Sequence, residues 1–136
     1  MTYHQMLSQH PQPFEHMEAL ERCVSACLEC AMCCNVCADA CLAEPEPEAM
    51  RRCIRLDLDC ADICTATAAV LSRQTTPNWE LLRAQLVACR TACRVCAEEC
   101  ASHADMHDHC KTCAECCRRC ADACQQLMSL LPAGTA

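Results

Sequence analysis

The sequence predicts an all-α protein, an antiparallel up-down-up-down four-helix bundle with a cysteine-lined core. Three observations predict it. Cysteine recurs at steps of three and four residues along long segments of the chain. The single glycine, Gly134, lies near the C-terminus and outside every one of those segments. Prolines and short polar stretches separate one segment from the next.

The elements follow in order. Pro11 and Pro13 close a short N-terminal segment, residues 1–13. A helical run is expected from about Phe14 to Ala43, and Glu44-Pro45-Glu46-Pro47 then forms a tight connector. The second run goes from about Glu48 to Arg73. Thr75-Thr76-Pro77 breaks the chain, with Thr76 expected as N-cap and Pro77 at the first helical position. A third run goes from Asn78 to about Ser102, and the last reversal falls within His103–His109. The fourth run ends near Leu131, before Pro132. All four are rich in Ala, Leu, Glu, Arg and Cys, which favour helix over strand. Short links between long helices make neighbours antiparallel. The organisation expected is therefore a bundle over residues 14–132 and a tail over 133–136.

Composition narrows the function. The chain has 20 cysteines in 136 residues and only three aromatic side chains, Tyr3, Phe14 and Trp79. Cys and Ala must fill much of the core, so a ligand occupying it would change stability strongly. The net charge is −7 and no basic run occurs, which argues against nucleic acid. No stretch is read as a membrane span, and the first residues have neither the basic start nor the apolar run of a secretory signal. A cytoplasmic location is expected. There thiols stay reduced, so this density of cysteine points to metal chemistry and not to disulfides.

The spacing places the thiols. In the first run Cys23, Cys27, Cys30, Cys34, Cys37 and Cys41 form one stripe at alternating steps of four and three, with Cys33 beside it. The fourth run repeats this with Cys110, Cys113, Cys117, Cys120 and Cys124, and Cys116 beside them. The third has Cys89, Cys93, Cys96 and Cys100; the second has Cys53, Cys60 and Cys64. Asp57 stands in the slot four residues after Cys53. Charged residues such as Glu29, Arg55, Arg94 and Glu115 lie on the other faces, so the thiol stripe points inward. A small buried hydrophobe would explain one such cysteine, but leucine or isoleucine would pack a whole seam better without oxidising.

Thiolates are soft ligands and select Cu(I), zinc or iron–sulfur clusters. Zinc sites usually sit on turns as closed sets of four, whereas continuous helices present ladders. Cu(I) accepts two or three sulfurs, and one sulfur can bridge two ions, so ligand counting gives on the order of twenty ions per chain. Each thiol loses a proton on binding, and the ions offset the thiolate charge. Two runs, Cys27/Cys30/Cys33/Cys37 and Cys110/Cys113/Cys116/Cys120, have the spacing of bacterial ferredoxins. Yet Ala38 and Ala121 stand where those proteins place proline, and no glycine lets the backbone wrap a cluster.

The two ends of the stripes differ. Towards Thr75–Pro77 the inward positions become Leu20, Leu71, Leu82, Leu86, Leu127 and Leu131, an apolar plug. At the other end the third stripe continues from Cys100 to His103 and His107, with His109, Met50 and Met106 in the same region. Imidazole and thioether both bind copper, so ions are expected to enter there. His103, His107, His109 and Asp57 join the cysteines as candidate ligands, while His4, His10 and His16 are read as surface residues away from the ladder.

Over about residues 14–131 the sequence resembles the bacterial copper storage proteins, in their cytosolic branch. The resemblance rests on the four-helix layout, the CxxC pairs Cys30/Cys33, Cys34/Cys37, Cys113/Cys116 and Cys117/Cys120, and the histidines near the third loop. It implies Cu(I) stored along the bundle axis, a homotetramer, and exchange with a cytosolic copper chaperone. No nucleophile–base pair stands out, so a non-enzymatic store is expected. The competing readings are an iron–sulfur electron carrier and a zinc or heavy-metal scavenger of the metallothionein type.

Overall fold

The computed structural model describes residues 1–133, so the expected tail lies outside the described residues from position 134 onward. The described residues form α1 (Thr2–Ser8), α2 (Met17–Leu42), α3 (Arg51–Leu71), α4 (Trp79–Ala101) and α5 (Asp108–Met128), with a 3-10 turn at Pro47–Met50 leading into α3. The four long helices are the predicted bundle. α2 packs against α3 and α5, and α4 packs against the same two. α2 and α4 therefore face each other across the diagonal, as do α3 and α5. At 26 residues, α2 is about 39 Å long and runs the length of the core.

Several local expectations are corrected. The N-terminal segment is itself partly helical. Leu7 of α1 is buried, and the Tyr3 hydroxyl lies 2.7 Å from Ser25 Oγ on α2. Gln74 secures the following loop: its amide donates to the Leu7 carbonyl at 3.0 Å and accepts the Phe14 N–H at 2.8 Å. Thr76 does not cap α4. It has φ 40°, in the left-handed region, where a β-branched residue is strained, and it serves to turn the chain. The cap is Asn78, whose side-chain oxygen accepts the Leu81 N–H at 2.9 Å.

α2 also corrects the reading that no stretch could span a membrane. By length and composition it could, with a mean hydropathy of 1.4 over its most apolar window. Cysteine raises that value. In the bundle the cysteine face of α2 is turned inward, with Cys23, Cys27, Cys30, Cys34, Cys37 and Cys41 all buried.

The core has three zones. Leu20, Leu71, Leu82, Leu86, Leu127 and Leu131 are buried at one end, as predicted. Thiols fill the middle, with Ala31, Ala61, Ala97 and Ala114 allowing close helix approach. Histidines and acidic residues occupy the other end.

Candidate metal centre

All twenty cysteines are free thiols, and all but Cys33 are buried. The spacing of three and four put them on one face of each helix; helix packing then brings the faces together. The closest sulfurs on neighbouring rungs are 3.6 to 4.0 Å apart. A metal–sulfur bond of about 2.3 Å, the length in zinc thiolates, places trigonal ligand sulfurs about 4.0 Å apart. The ladder thus has the spacing that a bound ion demands.

Contacts cross the diagonal as well as the sides. Cys27 on α2 lies 3.9 Å from Cys89 on α4, Cys30 lies 4.0 Å from Cys93, and Cys34 lies 4.0 Å from Cys96. Sets of four ligand atoms follow along the axis: Cys27/Cys89/Cys120/Cys124, then Cys30/Cys64/Cys93/Cys120, Cys30/Cys34/Cys60/Cys117, and Cys34/Cys96/Cys113/Cys117. Neighbouring sets share Cys120, Cys30, Cys34 or Cys117. A sulfur shared by two sets can bridge two ions, and bridging separates a continuous multi-ion array from a row of closed zinc sites.

Protons in the ladder are unevenly held. Cys113 is pulled down, first by its hydrogen bonding with Cys100 and Cys117. Cys34 is pushed the other way, first by its hydrogen bonding with Cys113 and Cys117. Near the histidine end burial dominates and raises Cys41, and it pushes Cys110 up to about 12. A thiol held protonated needs a metal to displace the proton.

Asp57 fills its predicted slot and is fully buried. Its Oδ1 accepts from Cys96 at 3.1 Å, Cys100 at 3.4 Å and Cys113 at 3.5 Å. Burial, then the charge of Cys113, pushes its carboxyl up to about 8.

The histidine end differs in detail from the sequence reading. α4 stops at Ala101, so the third stripe ends at Cys100, and His103 and His107 lie in the turn. His103 Nε2 is 2.9 Å from Glu99 Oε2. Glu44 Oε2 lies 3.0 Å from His107 Nδ1 and 2.8 Å from His109 Nε2, and the two imidazoles stack with centroids 5.5 Å apart. His109 alone among the three meets the ladder, its Nδ1 being 3.4 Å from Cys37 Sγ and 3.6 Å from Cys110 Sγ. With Cys37, Cys41 and Cys110 it makes a mixed nitrogen–sulfur set. A carboxylate on the far ring nitrogen fixes the tautomer that leaves Nδ1 free to bind. Sequence reasoning missed Glu44, because nothing marks a loop glutamate that meets a histidine 65 residues away, and it also missed Glu99, which lies on α4 four residues before His103. Met50 is buried, whereas Met106 is 80% exposed. His4 and His10 bond to Ser25 and Thr75, away from the thiols.

The model of the copper storage protein family matches residues 16–129, which takes in every cysteine together with His103, His107 and His109. The chain belongs to the copper storage protein family. Among solved family structures, the copper storage protein of Streptomyces lividans loaded with 10 copper equivalents is 50% identical, with a TM-score of 0.91 over 93% of this chain and 98% of that one. A cytosolic copper storage protein from the same organism, carrying five coppers, is 56% identical with a TM-score of 0.83, over 85% of this chain and 96% of that one. The metal-free copper storage protein 3 of Bacillus subtilis is 34% identical with a TM-score of 0.68, over 79% of this chain and 97% of that one. No curated protein sequence matches the chain.

Proposed function

We propose that this protein is a cytosolic, high-capacity Cu(I) store. The observation that carries the reading is the sharing of sulfurs between successive four-ligand sets along one axis. Cu(I) suits such sharing, and one ion per displaced proton leaves the interior near neutral. The ligands assigned are the twenty cysteines together with His103, His107, His109 and Asp57. The storage unit is residues 14–132. The cytosolic location and the copper cargo of the Streptomyces relatives support the same reading. The family resemblance adds a homotetramer and a cytosolic copper chaperone as donor or recipient. No catalysis is assigned.

The iron–sulfur alternative needs sulfide-bridged clusters wrapped by flexible backbone, whereas Cys27–Cys37 and Cys110–Cys120 lie wholly within helices. Anaerobic titration of the reduced protein with Cu(I) against a competing chelator tests the proposal. On the order of twenty ions per chain is expected from ligand counting. Saturation at one to four ions, or iron and sulfide in the purified protein, would defeat it.

A further inference from the structure

One ligand set differs in kind from the axial ones. Cys37, Cys41, Cys110 and His109 offer three sulfurs and one nitrogen, all within 4.8 Å of one another. The four axial sets named above share sulfurs among themselves, and none of them contains any of these four residues. The position differs too. Cys37 and Cys41 are one turn apart near the C-terminal end of α2, and His109 and Cys110 lie in the first turn of α5. The set thus sits beside the loops that join the helices, whereas the axial sets lie inside continuous helix.

Its distances suit a tetrahedral ion. Zinc–sulfur bonds of about 2.3 Å and zinc–nitrogen bonds of about 2.0–2.1 Å put two sulfurs about 3.8 Å apart, and sulfur and nitrogen about 3.6 Å apart. His109 Nδ1 lies 3.4 Å from Cys37 Sγ and 3.6 Å from Cys110 Sγ, and the two sulfurs are 4.0 Å apart. Three cysteines and one histidine are a donor set of structural zinc sites. The outer shell is in place as well. Glu44 Oε2, 2.8 Å from His109 Nε2, accepts the hydrogen of the far ring nitrogen, the carboxylate–histidine arrangement that orients a zinc-bound imidazole. All three thiols are buried, so an ion held there is shielded from water.

We infer that Cys37, Cys41, Cys110 and His109 form a Zn(II) site that closes the histidine end of the thiol ladder while the chain is poor in copper. Three zinc–sulfur bonds and one zinc–nitrogen bond form, three thiol protons go to solvent, and no electron moves. The ion ties the end of α2 to the start of α5. The site itself stands on the geometry; its action as a cap rests on the Cu(I) reading above, because the same thiols take copper when the chain fills. Cu(I) is the softer ion, so it takes over the thiolates and Zn(II) leaves to solvent.

The test uses the full reduced chain, stripped of metal and kept anaerobic, with Zn(II) as the probe. Competition with a chromophoric chelator should show one zinc per chain held at least about tenfold tighter than any further zinc, because this set has an oriented imidazole. Co(II) in the same site should give the intense visible bands of a tetrahedral ion with a sulfur-to-cobalt charge-transfer band. The His109 Nδ1 chemical shift should move with the first equivalent of zinc. No tight zinc, several zincs of equal affinity, or an unmoved His109 Nδ1 overturns the site. These readings need no variant, so a misfolded one leaves the test intact. His109→Ala should weaken zinc binding at least about tenfold, and Glu44→Gln about tenfold. Unchanged affinity in His109→Ala overturns the site as well. For the cap, protein preloaded with one zinc should take up Cu(I) about tenfold more slowly than zinc-free protein, equivalent to about 1.4 kcal/mol of barrier, and should release that zinc as it fills. Equal rates at full copper capacity overturn the cap and leave storage standing. A capacity of four copper ions or fewer in the zinc-free chain defeats storage itself.

Discussion

The two ends of the bundle are built from the same four helices and do opposite things. At the closed end leucines from all four helices interlock, with Leu86 and Leu127 essentially without exposure. Phe14 and Trp79 lean over them with ring centroids 5.9 Å apart. At the open end imidazoles, carboxylates and the last thiols sit within hydrogen-bonding distance of one another, and His103, His107 and His109 remain partly accessible. The closed end supplies the apolar burial that a thiol core lacks; the other end gives up burial for imidazole, carboxylate and thiol donors. On the proposed reading, stability and metal traffic are divided between opposite poles.

Substitutions can break this division. The largest effect should come from Leu127→Ala or Leu86→Ala. Either should destabilise the metal-free protein by about 2–5 kcal/mol in urea unfolding followed by circular dichroism. Copper capacity should stay the same; a loss of capacity would mean that the plug also shapes the ladder. Next is the pH dependence of the metal-free chain. Asp57 has its folded pKa raised to about 8 from 3.8, so the folded state binds the extra proton between those values. Stability is then fully present at low pH and falls as pH rises towards 8, by up to about 1.4 kcal/mol per pH unit. Asp57→Asn should flatten that slope in urea midpoints measured at pH 5 and pH 8; a slope that survives the substitution assigns it to the thiols.

Smaller effects should appear at the mouth. Replacing both His103 and His107 by alanine should slow copper loading by about tenfold, equivalent to about 1.4 kcal/mol of barrier, while total capacity changes little. Stopped-flow loading reads this, and an unchanged rate counts against entry at this end. Smallest should be Glu44→Gln. It keeps the size of the side chain but weakens the hold on His107 and His109, so the loading rate should change by roughly threefold, less than for loss of the imidazoles. Nitrogen chemical shifts of His109 should show the ring tautomer redistributing; unchanged shifts would assign Glu44 a merely structural part.

The ladder was legible in the sequence because its period is the period of a helix. Steps of three and four among cysteines leave few other places for those side chains. The leucine plug and the thiol slot of Asp57 were legible for the same reason. The open end was harder. Extending the third stripe past Cys100 favoured His103 and His107, but the helix ends there, and His109 reaches the thiols from the first turn of α5 instead. The Glu44 contact depends on how two loops are stacked by distant packing, and no local pattern encodes it. The N-terminal helix shows no periodicity strong enough to announce itself; what fastens it are contacts from distant residues, the hydrogen bonds to Ser25, the Gln74 amide on the Leu7 carbonyl and the burial of Leu7.

The diagonal thiol contacts reach beyond capacity. Because Cys27, Cys30 and Cys34 on α2 face Cys89, Cys93 and Cys96 on α4, metal bound at the axis would tie together helices that are diagonal, not adjacent, in the bundle. Loading then adds cross-links that local opening must break, so a filled chain exposes cleavable backbone far less often than an empty one. Proteases would remove empty chains first, and the lifetime of each molecule would record how much metal it carries.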